Sequence, residues 1–307
     1  MLILAITILV MCIAGSSVWL MARRWSLLPL TPRVDPATVR AEVRRHPRVA
    51  ALVSSRLDPS TLAGLALTLA SAVVVLGAAG FGLLLLMVRN RIGFAHFDLG
   101  AAQFAARHAS PWSTTTLRAF SQLGGAVVLV PVSCVICLLA SRRHGILAVA
   151  GFLVVTVGGQ FAVVDLVKWI VDRARPNLDR LTGFSGPSFP SGHAAAAAAS
   201  FAAFALLAGI GGSRRLQAIC AGGAVAIACG IACTRVFLGV HWLTDVLAGL
   251  ALGWAWFALC SIAFGGKLLR FGAPAEQMEH ALKVEHGPSD SQRRGASSRR
   301  RQLSPRP

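Results

Sequence analysis

Seven apolar stretches recur along the chain, and each comes close to the roughly 20 residues that an α-helix needs to cross a bilayer. Short segments rich in arginine, lysine and proline separate them. The stretches are Leu2 to Ala22, Thr61 to Val88, Gly124 to Ala140, Ile146 to Val167, Ala194 to Ile210, Leu216 to Thr234 and Val246 to Gly266. The pattern predicts an all-α fold, a polytopic membrane helical bundle.

The composition supports lipid as the solvent for these stretches. Hydrophobic residues make up 55% of the chain and charged residues only 14%, more apolar material than one soluble core of 307 residues can bury. The net charge of +18 raises the alternative of a nucleic-acid partner, but the basic residues lie in the connecting segments and the tail, not on one face with aromatics. We therefore expect the bilayer as the partner and no nucleic acid. The seven cysteines lie inside apolar stretches, which predicts free thiols in packing roles.

The order of apolar and basic segments predicts four regions. They are an N-terminal transmembrane helix at 1–22, a cytoplasmic basic linker at 23–60, a six-helix core at 61–266 and a basic, disordered cytoplasmic tail at 267–307. The first stretch starts without a basic residue and ends before Arg23 and Arg24, the reverse of a secretory signal, so we expect a retained helix. Within the linker, residues 36–57 have the pattern of a short amphipathic helix on the inner membrane surface.

The distribution of Lys and Arg predicts the orientation. Cytoplasmic placement is expected for the basic residues in 23–60, 142–143, 214–215 and 267–307, which hold 21 of the 30. The other nine fall on the outer side: four between Arg89 and Arg118, and Lys168, Arg173, Arg175, Arg180 and Arg235. That exception needs a reason other than topology, and binding an anion is one.

Residues 89–123 form the outer loop of this arrangement. Phe97, Leu99, Phe104 and Ala105 are expected on one face of an interfacial helix. That face would border an entrance for lipid, or simply pack against the bundle.

The first cluster of polar residues follows the fourth apolar stretch. A helix leaving the membrane would carry Lys168, Asp172 and Arg175 on one face, with Asp165 one turn deeper, and Pro176 would stop it. Charge at this depth is costly, so it indicates function or pairing. The plain alternative is that the two carboxylates neutralise the two cations at a helix end.

The second cluster is the run Pro190, Ser191, Gly192, His193 directly before the alanine-rich stretch. Ser191 suits an N-cap, and Gly192 lets the backbone approach a ligand closely. The free N–H groups of a helix start form a phosphate cradle, beside which His193 would titrate near neutral pH.

The third cluster is Arg235, His241 and Asp245 before the last stretch. Spacing by four on a helix would let Asp245 accept the Nδ1 proton of His241 and leave the Nε2 lone pair free as a nucleophile. Together the clusters supply three cations, two imidazoles and a carboxylate, which suits attack on a phosphate ester without a metal.

Lys168 with Arg175 and Pro176, the run from Pro190 to His193, and Arg235 with His241 and Asp245 together resemble the three-part signature of the type 2 phosphatidic acid phosphatase superfamily. The resemblance covers roughly residues 61–266. One departure is Thr234, where the family usually has serine before the arginine.

The resemblance implies a role for each site residue. His241 would attack phosphorus and form a phosphohistidine, Asp245 would orient it, and His193 would protonate the departing lipid oxygen and then activate water. Phosphate-binding groups would be Lys168, Arg175, Ser191, Gly192 and Arg235. No metal and no cofactor are expected.

A site at the membrane boundary favours a membrane lipid phosphate as substrate. An isoprenoid diphosphate such as undecaprenyl diphosphate leads, with phosphatidic acid or phosphatidylglycerol phosphate close behind. The Ala- and Arg-rich composition indicates a bacterial inner membrane, with the active site on the extracytoplasmic side. Two alternatives stay open: a phosphotransferase that uses an acceptor alcohol, and a non-catalytic membrane protein that binds lipid phosphate.

Overall fold

The structure, a computed structural model, describes residues 1–25, 62–142, 145–177 and 186–268. The amphipathic helix expected at 36–57 lies outside these ranges. Nearly all of the predicted linker at 23–60 and of the tail at 267–307 does so as well.

The described residues form ten α-helices and no strand. The helices are α1 (Leu2–Trp25), α2 (Leu62–Asn90), α3 (Phe97–His108), α4 (Pro111–Ser121), α5 (Ala126–Ser141), α6 (Ile146–Leu153), α7 (Gly159–Val171), α8 (Gly192–Gly209), α9 (Arg214–Phe237) and α10 (Leu243–Leu268). Among these residues, six helical segments are long and apolar enough to cross a membrane. The prediction of an all-α, multi-pass membrane bundle is confirmed.

The third predicted stretch, Gly124 to Ala140, takes a different form from the other six. It belongs to a pair, Pro111–Gly124 and Ala126–Ser141, that is bent by 47°. The number of spans in the described part of the chain is therefore six, or seven if the bent pair counts as one. The bend carries the Gly124–Gly125 turn into the bundle.

Helix α8 forms the centre of the bundle because its side chains are small. Ala194 to Ala199 are all buried, and α9 and α10 pack against this alanine-rich helix. On α10, a Cβ placed at Gly249 would lie 2.6 Å from the carbonyl oxygen of Ser191, and one placed at Gly253 would collide with that of Ala195. Small residues let helix backbones approach closely where no hydrophobic effect drives helices together.

Glycines also let the outer helices α1 and α2 approach their neighbours closely. On α1, Gly15 lies against α9, where a Cβ added at Gly222 would be 2.7 Å from the Gly15 carbonyl oxygen. On α2, a Cβ at Gly77 would lie 2.9 Å from the Ala251 carbonyl oxygen of α10. Close backbone contact therefore extends from α8 outward on both sides.

A π-helical segment, Val154–Gly158, joins α6 and α7 into one span. Trp256 of α10 donates its Nε1 hydrogen to the carbonyl oxygens of Val155 and Thr156, at 3.2 and 3.1 Å. A π-bulge frees carbonyl groups, and in a membrane they need a partner within the protein. The tryptophan supplies it and fixes the π-helical segment against α10.

Helix α3 occupies the predicted outer loop, but its faces differ from the prediction. Phe97 and Leu99 are exposed, whereas Ala105 is buried, so they do not share one face. The buried residues of this helix are Asp98, Ala102 and Ala105, spaced by four and three. A carboxylate therefore lies on the inward face of α3.

We expect Gly253→Ala to destabilise the protein, because its methyl group would meet the Ala195 backbone and the Ala198 methyl carbon. Overpacking of this kind typically costs about 1–3 kcal/mol. The check is the melting temperature in detergent, which should fall. Gly82→Ala in α2 is the matched control, since its Cβ has nothing within 4 Å. Equal melting temperatures for the two variants would contradict this account of the packing.

Candidate active site

Four helix ends meet at one end of the bundle and carry the predicted residues. Helices α7 and α9 end there, and α8 and α10 begin there. The structure brings together all eight residues singled out from the sequence: Lys168, Arg175, Ser191, Gly192, His193, Arg235, His241 and Asp245. Two short distances show how tightly the ends converge. The Ser191 N–H donates to the Asp245 carbonyl oxygen at 2.9 Å, and a Cβ on Gly192 would lie 3.8 Å from Lys168 Nζ.

The contact with Arg175 fixes the tautomer of His241. Arg175 Nη1 lies 3.1 Å from His241 Nε2 and also donates to the Val240 carbonyl oxygen at 2.8 Å. A guanidinium can only donate, so Nε2 accepts with its lone pair and the neutral ring carries its proton on Nδ1. The lone pair that a nucleophile needs therefore points at the guanidinium of Arg175.

Asp245 lies behind the ring of His241. Its Oδ2 is 3.4 Å from Nδ1, within ion-pair range but longer than an aligned hydrogen bond, and it accepts the Trp242 N–H at 2.9 Å. The expectation that a helix brings this pair together is wrong, because α10 begins at Leu243 and His241 lies in the preceding turn. That turn still directs Nδ1 toward the carboxylate.

Burial keeps His241 neutral. The side chain is 3% exposed, and desolvation lowers the pKa of His241 to about 4. The nearby Asp245 carboxylate acts in the opposite direction, while Arg175 and Arg235 reinforce the lowering. The unprotonated ring therefore predominates at any pH well above 4.

The start of α8 presents free donors. Ser191 occupies the N-cap position, but its side chain makes no capping hydrogen bond, and its fully buried hydroxyl has no hydrogen-bond partner among the described residues. This differs from the predicted cap. A buried hydroxyl without a partner is uncommon, and here it lies beside Gly192 and the first N–H groups of the helix. These groups form a cradle for an anion.

Arg235 is held by a residue that the sequence did not single out. Its Nη1 donates to Ser121 Oγ of α4 at 2.9 Å, whereas its buried Nε has no hydrogen-bond partner in the part of the chain that the structure describes. The hydroxyl of the neighbouring Thr234 donates to the Ile231 carbonyl oxygen at 2.6 Å, so it serves its own helix. Ser121 thus fixes one edge of the guanidinium and leaves Nε for a ligand.

The Gly124–Gly125 turn forms the wall beside His193. A Cβ on Gly124 would lie 3.0 Å from the His193 carbonyl oxygen, and one on Gly125 would lie 3.6 Å from His193 Nε2. Any larger residue at Gly124 would press on the His193 backbone and on Ile231. The bend between α4 and α5 therefore packs directly against the start of α8 at His193.

The geometry of the first cluster differs from the prediction. Lys168, Asp172 and Arg175 do not share a helix face, because α7 ends at Val171 and Asp172 adopts a left-handed conformation with φ of 41°. Pro176 is therefore not what stops the helix. Arg175 reaches His241 from an extended segment, held by its Nε–H donating to the Gly186 carbonyl oxygen at 2.9 Å.

Arg173 makes the shortest ion pair of the site, although the sequence singled it out only as an outer-side cation. Its Nη1 donates to Asp245 Oδ1 at 2.5 Å and to the Thr244 hydroxyl at 2.8 Å. Its Nη2 donates to Asp98 Oδ2 of α3 at 2.7 Å. In the sequence, Asp98 is a lone carboxylate among the apolar residues of α3. Nothing in the sequence pairs it with Arg173, 75 residues away, or with Thr244, 146 residues away.

Over the four described ranges, no group of three or more His, Cys, Asp or Glu side chains lies close enough together to hold a metal ion. The polar groups gathered at this end are instead four cations, two imidazoles and the carboxylates of Asp98 and Asp245.

We expect His241 to titrate near pH 4 in the folded protein, against an ordinary value of 6.5. Because the folded-state pKa is lowered, the neutral ring contributes stability that is complete above pH 6.5 and lost as pH falls toward 4. Ring-carbon NMR of labelled histidine measures this, and His241→Gln identifies the signal among the eight histidines. A titration near 6.5 would contradict the buried, neutral ring.

We expect Arg235→Lys to raise KM for a phosphate ester by about 10–100-fold, the value of one or two hydrogen bonds to a charged group. A lysine cannot donate to Ser121 and to a ligand from two fixed edges. Steady-state kinetics of phosphate release measure this. Arg107→Lys, at an exposed position of α3, is the matched control and should leave KM unchanged. An unchanged KM in Arg235→Lys would remove this guanidinium from the binding site.

Comparisons with known proteins give a consistent picture. The model of the PAP2 superfamily matches residues 148–268, the part that holds all eight residues. Among solved structures, the crystal structure of the first transmembrane PAP2 type phosphatidylglycerolphosphate phosphatase from Bacillus subtilis is similar, with 25% identity and a TM-score of 0.56. The match covers 64% of this chain and 98% of that one. No curated protein matches the chain.

Asp98 and Ser121 lie before the residues that the family model matches. The resemblance read from the three motifs is confirmed: residues 148–268 match the model of the PAP2 superfamily, and the membrane bundle is similar to that of a transmembrane PAP2 type phosphatase.

Proposed function

We propose that the protein is a lipid phosphatase that hydrolyses a phosphomonoester or diphosphate of a membrane lipid through a phosphohistidine at His241. The observation that carries the proposal is the arrangement around this ring. Its Nε2 lone pair faces Arg175, and its Nδ1 faces the buried carboxylate of Asp245. A neutral imidazole aimed at a phosphate-binding cation is an activated nucleophile.

The first half of the reaction transfers the phosphoryl group to the enzyme. Phosphoryl oxygens replace His241 as the partner of Arg175, so that phosphorus lies opposite Nε2. The N–P bond forms as the bond from phosphorus to the lipid oxygen breaks, and protonated His193 gives its proton to that oxygen. Asp245 stabilises the positive charge that develops on the ring of His241.

The second half returns the enzyme to its starting state. Water attacks phosphorus, the now neutral His193 accepts a proton from that water, and the N–P bond breaks. Inorganic phosphate leaves, and both imidazoles regain their initial protonation. Apo distances such as the 3.4 Å between Nδ1 and Asp245 tend to shorten in the substrate complex.

Fixed donors supply the stabilisation of charge. Lys168, Arg175 and Arg235 would bind the equatorial oxygens together with the Ser191 hydroxyl and the N–H of Gly192. Phosphoryl transfer depends mainly on positioning and on neutralising oxygen charge, so these groups do the work that magnesium does in many other enzymes. We therefore propose metal-independent catalysis.

The position of the site supports a lipid as substrate. It lies where four helices of the membrane bundle end, so a head group would reach the cations while its chains stay in the bilayer. The similar Bacillus subtilis protein is named for phosphatidylglycerolphosphate. We propose this lipid, phosphatidic acid and an isoprenoid diphosphate as candidates, cleaved on the extracytoplasmic side of a bacterial inner membrane as the basic residues indicate.

Phosphate release in detergent with excess EDTA tests the proposal. Each of the three lipids is given separately to the wild type and to His241→Ala. We expect release by the wild type with at least one lipid, and no release above background by His241→Ala. Adding glycerol and analysing the products shows whether water or an alcohol accepts the phosphoryl group.

Asp172→Asn serves as the control for a charge change beside the site, because Asp172 is exposed and Asn tolerates its left-handed backbone. It should retain wild-type turnover. If folded wild-type protein releases phosphate from none of the lipids, the phosphatase proposal fails. Release that EDTA abolishes would contradict the metal-independent mechanism.

A further inference from the structure

The carboxylate of Asp98 is buried at the active site, although it belongs to the peripheral helix α3. Its side chain is 4% exposed, and it lies on the inward stripe of α3 with Ala102 and Ala105. Phe97 and Leu99, its neighbours in sequence, are exposed. A buried carboxylate is costly unless it is paired, so the partners of Asp98 decide its role.

Both carboxylate oxygens of Asp98 accept hydrogen bonds from residues beside Asp245. Its Oδ1 accepts the Thr244 N–H at 2.9 Å, and its Oδ2 accepts the Thr244 hydroxyl at 2.7 Å. The same Oδ2 pairs with Arg173 Nη2 at 2.7 Å. Both partners are in direct contact with Asp245 or adjacent to it in sequence, so Asp98 acts on the catalytic carboxylate through two routes.

The charge of Arg173 explains why Asp245 needs a second carboxylate, that of Asp98, close by. Arg173 contacts Asp245 Oδ1 at 2.5 Å, so this pair alone would be neutral, and Asp245 would give little stabilisation to a positive His241. Asp98 adds a negative charge on the other edge of the guanidinium. The three groups then carry a net charge of minus one, and the Asp245 carboxylate among them is fully buried.

We propose that Asp98 is a positioning residue for the reaction: through Thr244 it orients the start of α10 that carries Asp245, and by pairing with Arg173 it preserves the net negative charge behind His241. The inference rests on the proposed function, since its main readout is phosphate release. It extends the site beyond the residues 148–268 that the family model matches. A purely structural Asp98 would only dock α3 on the bundle.

The kinetic test compares the wild type, Asp98→Asn, the double variant Asp98→Asn with Arg173→Gln, and Asp172→Asn. In Asp98→Asn the Arg173–Asp245 pair becomes neutral. We expect kcat to fall about 10–100-fold, as for other residues that orient a catalytic group, with KM within about threefold. Asp172→Asn, which makes the same charge change at an exposed neighbour of Arg173, should match the wild type.

The double variant separates charge from docking. Removing the Asp98 carboxylate and the Arg173 cation together leaves Asp245 with its negative charge, so kcat should recover above that of Asp98→Asn. A docking role predicts that the double variant is slower still. The proposal is overturned if Asp98→Asn turns over like Asp172→Asn, or if the double variant is no faster than Asp98→Asn.

Melting transitions in detergent show first whether each variant is folded. If Asp98→Asn does not fold, the double variant decides alone, because removing both members of a buried ion pair is often tolerated where removing one is not. Its kcat should then lie within about tenfold of the wild type, since the net charge behind His241 is kept. A larger fall would overturn the proposal.

A measurement that does not depend on turnover, the pKa of His241, separates a failure of this inference from a failure of the proposed function. Burial is the main cause of the lowered pKa of His241, about 4, and the charges of Asp245, Arg175 and Arg235 shift this pKa further. Arg173→Gln should raise that pKa in histidine NMR, and adding Asp98→Asn should lower it again. An unchanged pKa in both variants would overturn the inference even for a protein that releases no phosphate.

Discussion

The carboxylate of Asp245 has no access to water, and the site depends on how its charge is balanced. Arg173 pairs with one oxygen, while the Trp242 N–H and the His241 ring face the other. These partners come from the segment after α7 and from the turn before α10. The buried charge therefore fixes how the two segments meet, since an unpaired carboxylate at this depth would be strongly destabilising.

Close helix packing makes this convergence possible. Alanines along α8 and glycines at Gly249 and Gly253 let backbones approach to near contact, so the starts of α8 and α10 lie side by side. The Ser191 N–H then reaches the Asp245 carbonyl oxygen directly. The proposed anion cradle and the proposed nucleophile are thus held by backbone contacts, which leave less freedom than long side chains would.

Much of the fold was predictable from the sequence, since hydrophobic length alone located the membrane helices. The motif residues were also predictable, because cations and imidazoles at the ends of apolar stretches have few structural uses. Local backbone details were not. The left-handed Asp172, which ends α7 before Arg175, and the position of His241 before α10 depend on tertiary contacts that override helical spacing.

Long-range partners were beyond the sequence for a different reason. Asp98 and Ser121 lie in helices whose individual patterns are ordinary, and their roles arise only when α3 and α4 pack on the bundle end. The sequence around a single carboxylate or hydroxyl does not indicate a partner that lies more than 70 residues away. Charge balance around Arg173 becomes visible only in three dimensions.

The central claim is that His241 carries the phosphoryl group during turnover. The most direct measurement is a rapid alkaline quench during hydrolysis, followed by mass spectrometry of the peptide that contains His241, because phosphohistidine survives base and is lost in acid. The account predicts one phosphoryl group on His241, absent after acid treatment. Sustained phosphate release with no adduct on any residue, or with the adduct on another residue, would contradict it.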